Sequence, residues 1–478
     1  MRTRVAVLGL VALTLTGCNE TGGTTTTSSI GVTTTTTTES ATTSTAGSGI
    51  DPVDSDWACY YVPEVVAIPI PDAVDRTTFV TDILALLNSS GITAEEIFAD
   101  NELLLGGGET PADLAAISTQ IEPVLTLIKV SNNDPAEVSV FLNQQDPTIG
   151  ASPIHAVAPA SHWVFKPGTD PVPIDNVELD PVDDADETMP YVGVIDTGFV
   201  QETASWAESP NVRYDEFDIE PDPGLASHGT FITGLIRQIS PQNPVSVARV
   251  PLRNPDLITT TNESPPSGVA LSDELFVFEA VIRMINRHAS DGTEVAALNL
   301  SLGTYTCDPD GDDLLVVLAE AMEMWEGAFP GSTIFAAGGN EEHIQPFWPG
   351  ALNDVRAVAA ANLNGEQVVW ENKDEVVYPG RRWINDVAPG SNLVSLAGAG
   401  NTQFVSWSGS SFATAVASAL FARGEDPIAD PTGLTWWLDA PVNYDNITGL
   451  TYTQSPDPSE PVIHVESPGS AVTVPTTP

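Results

Sequence analysis

Ser411 stands in the stretch Phe404-Val405-Ser406-Trp407-Ser408-Gly409-Ser410-Ser411-Phe412-Ala413-Thr414-Ala415-Val416-Ala417, where a turn of small residues runs into an apolar, Ala-rich segment of helical character. Glycine lets such a turn be tight and lets another molecule approach closely. A hydroxyl in the first turn of a helix lies among N–H groups that have no intrahelical partner, where negative charge is favoured. Ser411 is therefore a candidate nucleophile whose tetrahedral intermediate would be held by backbone donors. Taken alone, the stretch reads more simply as a Ser-rich cap on a core helix. A serine hydroxyl is a poor nucleophile without an adjacent base, so the rest of the chain has to supply one. His228, in Ser227-His228-Gly229-Thr230-Phe231, sits at a helix start with small neighbours that leave room for a second side chain. Asp196 closes an apolar run in Val194-Ile195-Asp196-Thr197-Gly198. Singly, the first is a polar helix-start residue and the second a turn-capping acid.

The elements around them decide whether they can meet. Tyr191–Ile195, Val245–Val250, Val295–Leu302, Thr333–Ala337 and Val355–Ala361 are Val-, Ile- and Ala-rich runs that read as strands. Ser227–Ile239, Leu271–Ala289 and Asp312–Glu326 read as helices between them. Continuous apolar strands separated by helices predict a parallel sheet covered on both faces. Ligands of such sheets bind beyond the carboxyl ends of the strands. Asp196 is at one such end, Ser301-Leu302-Gly303 at a second, and Ala337-Gly338-Gly339-Asn340 at a third.

Asp-Thr-Gly after an apolar strand, His-Gly-Thr opening a helix, Ser-Leu-Gly, Gly-Asn and Gly-Ser-Ser-Phe-Ala, in that order, resemble the subtilisin-like serine proteases (subtilases), whose triad runs Asp, His, Ser along the chain. Trp348-Pro349-Gly350 and Asn385-Asp386-Val387-Ala388-Pro389-Gly390 match as well, and the resemblance covers about residues 190–425. It implies an α/β fold of subtilisin type and a serine endopeptidase working through an acyl-enzyme. His228 would take the Ser411 proton and Asp196 would orient the imidazole. Asn340 and the Ser411 N–H would hold the oxyanion. Ser301, Leu302 and Gly303 would pair with an extended peptide, and Ala337, Gly338 and Gly339 would wall the pocket for the residue before the cleaved bond. Ser410 replaces a usual Thr, Phe412 a common Met and Ala415 a usual Pro, none of which touches the triad. No cofactor is required for this chemistry. Structural Ca²⁺ is frequent in the family, but no ligand set carries over. Cys307-Asp308-Pro309-Asp310-Gly311-Asp312-Asp313 looks like a calcium loop but has Ala319 where an EF-hand needs Glu, and Asp312 reads as the cap of the next helix. A different class, a catalytically silent, surface-anchored module that holds peptides in the same cleft, stays as the alternative.

The remainder of the chain reads by composition. With 16 Lys and Arg against 65 Asp and Glu in 478 residues, the formal net charge is −49. Such a field repels nucleic acid and anionic membrane surfaces. It fits a saline habitat or an acidic extracellular protein equally. Residues 1–17 form a leader: Arg2 and Arg4 precede an apolar run too short to span a bilayer. The run ends in Leu15-Thr16-Gly17-Cys18, which resembles a bacterial lipobox. Lipidation of Cys18 would anchor an exported chain at the cell surface or envelope, and ordinary cleavage would release it. Residues 18–57 are a Thr/Ser-rich tether that cannot bury enough surface to order. Cys59 and Cys307 pair or stay free thiols; in an oxidising compartment a disulfide is favoured. Residues 58–165 predict a small α+β region. It has strands at Tyr60–Ile70 and Glu102–Leu105, helices at Asp75–Asn88, Pro111–Val130 and Pro135–Asn143, and an extended Ser152–Ala158. Its position is that of a subtilase propeptide, or of a permanent N-terminal domain. His155 and His162 in it carry structural or surface roles. Residues 166–189 read as an acidic linker and 426–478 as a C-terminal extension. His288 takes a helix-end or surface role, His343 a loop role, and His464 falls in the tail.

Overall fold

The computed structural model describes residues 60–97, 117–159, 171–174, 177–179, 184–200, 211–214, 227–251, 272–306, 315–340, 346–361, 383–396, 404–425, 451–454 and 463–466. The leader, the tether, Cys18, Cys59, Cys307, His162, His343, the 307–313 loop and the strand expected at Glu102–Leu105 lie outside these residues.

The N-terminal region contains β1 (Tyr61–Pro69), α1 (Arg76–Ser89), β2 (Ala94–Glu96), β3 (Leu125–Val130), α2 (Pro135–Gln145) and β4 (Ser152–Pro159). The strands form an antiparallel sheet in the order β4-β1-β3-β2. Both helices begin on an aspartate that accepts a first-turn N–H: Asp75 from Thr78 and Asp134 from Ala136. Along β1, successive residues point to opposite faces. Val66 and Ile68 pack with Val80, Ile83 and Leu87 of α1 and Leu142 of α2. Val65 and Ala67 enter a different cluster with Leu275, Val281, Val316 and Leu318 of the later region. Burial on both faces is why this strand reads as an unbroken apolar run. The same effect overturns one expectation: Leu125–Val130 is strand β3, not the end of a helix from Pro111. A short run buried on both sides has no period to tell the two apart.

The acidic stretch 166–189 contains β5 (Val172–Ile174) and β6 (Val177–Leu179). The second region then follows. Its elements are β7 (Tyr191–Asp196), β8 (Val212–Tyr214), α3 (Ser227–Ile239), β9 (Val245–Arg249), β10 (Ser272–Asp273), α4 (Glu274–Asp291), β11 (Val295–Leu300), β12 (Leu302–Gly303), α5 (Val316–Ala328), β13 (Thr333–Ala337), β14 (Val355–Ala361), β15 (Ile384–Pro389), β16 (Leu393–Leu396), β17 (Phe404–Trp407) and α6 (Ser410–Ala422). Seven strands make a parallel sheet in the order β15-β14-β13-β11-β7-β9-β8. One apolar cluster joins α3 and α6 to the sheet, and the other joins α4 and α5 to it, so both faces are covered. Strands β16, β17 and β5 form a small antiparallel sheet, and β6 runs parallel to β19 (Ile463–Glu466), which pairs with β18 (Thr451–Gln454).

Two helix starts differ from expectation. α4 begins at Glu274 behind an Asp273 cap that accepts from Leu275 and Phe276 N–H. α5 begins at Val316 behind Leu315, which makes no side-chain cap, and Asp312, expected as that cap, lies outside the described residues. The run Val295–Leu302 also breaks: β11 stops at Leu300, and Leu302–Gly303 leaves the parallel sheet to pair antiparallel with β4. On its other edge β4 pairs antiparallel with β10. The last strand of the N-terminal region thus lies between two edges of the second region.

Candidate active site

The site is assembled from four ends of elements. β7 delivers Asp196, whose Oδ1 accepts from Thr197 N at 2.7 Å, Thr197 Oγ1 at 3.1 Å and His228 Nδ1 at 2.7 Å. Both Asp196 and His228 are buried. Those three donors fix the carboxylate and, through it, the plane and tautomer of the imidazole. The helix carrying His228 can come this close because of Gly229. A Cβ built there would lie 2.1 Å from Gly198 O. The Gly229 N–H donates to Thr197 Oγ1 at 3.2 Å, and Thr230 Oγ1 accepts from Val200 N at 3.0 Å. Asp-Thr-Gly and His-Gly-Thr are therefore two halves of one interlock. On its outer side the His228 ring meets Trp407 edge-on, centroids 5.6 Å apart, and Phe412 at 5.5 Å. Phe412 follows Ser411, so these contacts bring the imidazole to the start of α6.

Ser411 is buried in the first turn of α6, and its Oγ donates to Ser301 O at 3.0 Å. In return Ser301 Oγ has two acceptors for its one proton, Ser411 O at 2.7 Å and Asn299 Oδ1 at 2.8 Å. Asn299 Nδ2 reaches Ser418 Oγ at 3.3 Å, and Ser418 Oγ donates to Thr414 O at 2.8 Å. A buried polar chain thus ties the end of β11 to α6. Asn299 was legible only as the lone polar residue in Val-Ala-Ala-Leu-Asn-Leu, and the sequence assigned it no role. Asn340 follows β13, and its Oδ1 accepts from Ser410 N at 2.9 Å. That bond commits the amide oxygen to the helix start and turns the amide NH₂ the other way. Ser408 Oγ accepts from Asn392 N at 2.8 Å and holds the turn instead of taking part in the site.

Of the three residues expected to pair with a peptide, Ser301 lies against Ser411, and Leu302 and Gly303 pair with β4. Gly303 also packs against the Trp348-Pro349 turn: a Cβ there would lie 2.3 Å from Trp348 O. Ala337 ends β13, next to Gly338, whose N–H donates to Val358 O at 2.9 Å. His155 and His288 are both buried, not at the surface. His155 donates through its backbone N (2.7 Å) and Nδ1 (2.8 Å) to Glu274 Oε1. His288 Nδ1 lies 2.7 Å from Thr293 Oγ1, and burial first, then Arg287 and Arg213, lower its pKa to about 4. Among the described residues no three His, Cys, Asp or Glu stand close enough to hold a metal ion.

Residues 188–436, just over half of the chain, match the family model for Peptidase S8, the subtilase family. The chain belongs to the subtilase family. Its members are peptidases of the serine type, so peptides or proteins are the class of substrate for this subtilase. Among solved structures, that of the prenylagaramide maturation protease PagA is 21% identical, with 51% of this chain and 80% of that chain covered at a TM-score of 0.35. The patellamide maturation protease PatA is 20% identical, with 51% of this chain and 83% of that chain covered at a TM-score of 0.36. None of the curated proteins matches the subtilase.

Proposed function

We propose that this subtilase is a serine endopeptidase whose triad is Asp196, His228 and Ser411. The observation that carries the proposal is the buried 2.7 Å bond from His228 Nδ1 to Asp196, on an imidazole packed against the residue after Ser411. With Nδ1–H held by the carboxylate, Nε2 is the basic nitrogen. It takes the Ser411 proton as Oγ attacks the peptide carbonyl, then passes that proton to the leaving amine. The charged imidazolium is stabilised by Asp196. Water then attacks the ester with His228 again as base, which returns Ser411 and gives a carboxylate. The developing oxyanion would be met by the Ser411 N–H at the positive end of α6 and by the Asn340 amide.

Residues 58–165 act in this proposal as an inhibitory segment whose last strand covers the substrate edge at Ser301–Gly303. The leader and Cys18 would export the chain and anchor it by lipid at the cell surface or envelope. The deciding measurement is covalent labelling by a fluorophosphonate, which needs an activated hydroxyl. Wild type labels and hydrolyses casein, and Ser411→Ala does neither. Casein hydrolysis unchanged in Ser411→Ala would refute the assignment.

A further inference from the structure

Trp407 ends β17 four residues before Ser411, and its buried ring closes an aromatic group around the imidazole. It meets His228 at 90° with centroids 5.6 Å apart, Phe231 at 80° and 5.6 Å, and Phe412 at 5.1 Å. Phe412 in turn lies 5.5 Å from His228 and 4.6 Å from Phe231. Asp196 holds the imidazole at Nδ1. A hydrogen bond at one ring nitrogen leaves the swing of the ring about that bond to be settled by packing, and a close-packed interior has no void to swing into. The strand that carries Trp407 is itself held on both edges. On one, Leu393, Ser395 and Leu396 of β16 are opposite Trp407, Val405 and Phe404. Ser395 Oγ donates to Phe231 O at 3.0 Å, which ties β16 to α3. On the other, Val172, Pro173 and Ile174 of β5 are opposite Ser406, Val405 and Phe404. β5 belongs to the acidic stretch 166–189 and lies upstream of residues 188–436, to which the family match extends.

We propose that Trp407 is a positioning residue for His228, and that β5 acts through it by holding β17 in register, so that the protease needs this linker strand. This rests on Asp196, His228 and Ser411 being the triad. Only Ser408, Gly409 and Ser410 separate Trp407 from Ser411. A shift of β17 therefore moves both the ring against the base and the helix start that carries the hydroxyl. Antiparallel partners alternate between pairs that exchange both backbone hydrogen bonds and pairs that exchange none. Proline has no N–H to give, so Pro173 opposite Val405 suits a pair of the second kind. Val172 and Ile174 then fall in pairs of the first kind. The contribution of β5 is backbone pairing on the edge of a sheet, and a proline at Ile174 removes a bond that an alanine keeps. Misplacing a catalytic group by about 1 Å costs on the order of 100-fold in rate, with no change at the groups that bind substrate.

The test uses the full-length chain, fluorophosphonate labelling, and an internally quenched peptide drawn from a site at which wild type cuts casein. Trp407→Leu should lower kcat by about 10-fold or more and slow labelling in parallel. KM should stay within about 2-fold, the split expected when an interaction made only in the transition state is lost. Trp407→Phe keeps a ring against His228 and should recover most of kcat. Ile174→Pro should lower kcat by at least about 3-fold, again with KM kept, and Ile174→Ala by far less. The double variant Trp407→Leu with Ile174→Pro should be no slower than Trp407→Leu alone, because both changes act through one contact. Should Trp407→Leu fail to fold, the comparison of Ile174→Pro with Ile174→Ala decides. Ile174→Pro with the kinetics of Ile174→Ala, a Trp407→Leu loss confined to KM, or additive effects in the double variant overturn the inference. If that happens while wild type labels and cuts casein, only this inference falls. If wild type does neither, the triad assignment falls and takes the inference with it.

Discussion

Glu274→Ala removes a side-chain acceptor that joins β4 to the second region. Glu274 Oε1 takes His155 N at 2.7 Å and His155 Nδ1 at 2.8 Å, and Oε2 takes Leu318 N at 3.4 Å, with both side chains buried. The two short bonds dominate; at 3.4 Å the third adds little. Each buried donor left without an acceptor costs about 1–3 kcal/mol. Breaking a buried acid–base pair from one side costs about 3–5 kcal/mol in total. At roughly 2–4 °C per kcal/mol for a domain of this class, the melting temperature should drop by roughly 6–20 °C. Glu274→Gln keeps an acceptor oxygen for His155 and should lose only about 1 kcal/mol. The measurement is urea and thermal unfolding in a Ser411→Ala background, which prevents self-digestion. A double-mutant cycle with His155→Leu should show a coupling of at least about 1 kcal/mol. If Glu274→Ala costs less than about 1 kcal/mol, or if the two substitutions are additive, the pair is not what clamps the strand. The linked functional readout is faster hydrolysis of added peptide by the Glu274→Ala chain with Ser411 intact, because a loosened β4 leaves the edge at Ser301–Gly303.

Gly229→Ala places a methyl 2.1 Å from the Gly198 carbonyl, which backbone must yield to accommodate. The Asp196–His228 bond should lengthen, and kcat/KM for peptides should fall by at least about 10-fold with fluorophosphonate labelling slowed in parallel; an unchanged labelling rate would contradict the interlock. His288 has its folded pKa lowered from 6.5 to about 4 by burial first. The unfolded chain therefore binds the extra proton between those values, so stability is present above pH 6.5 and is lost as pH falls toward 4. The loss should reach about 3 kcal/mol, at about 1.4 kcal/mol per unit. His288→Leu should flatten that part of the stability–pH curve, and a curve parallel to wild type would contradict it.

Much of the site was legible because its chemistry is written in short local motifs. Asp196, His228, Asn340 and Ser411 each stand at a strand end or helix start, and those junctions are visible as changes from an apolar run to small and polar residues. Gly409 two residues before it and Phe412-Ala413 after it align Ser411, rather than Ser408 or Ser410, with the family's serine. Local pattern failed where burial on both faces erased the period, as in Leu125–Val130, and where a helix began without a side-chain cap, as at Val316. His155, read as structural or surface, and His288, read as helix-end or surface, are both buried, one against Glu274 and the other in the last turn of α4, and for His155 nothing beside it in sequence is its partner. Glu274 meets His155 across 119 residues of chain.

The sequence by itself determined the subtilase family, the parallel α/β sheet and the strand ends and helix starts at which Asp196, His228, Asn340 and Ser411 stand, because residue type, apolar runs and motif order are local properties. Only the tertiary structure decided that Asp196 and His228 share a buried hydrogen bond, that Asn299 and Ser301 tie the helix of Ser411 to the sheet, and that Ala156–Pro159 pairs with β10 and β12. Those are pairings between distant segments. They are set by strand register and by how closely two backbones can pass, and neither quantity is carried by any one stretch of the chain.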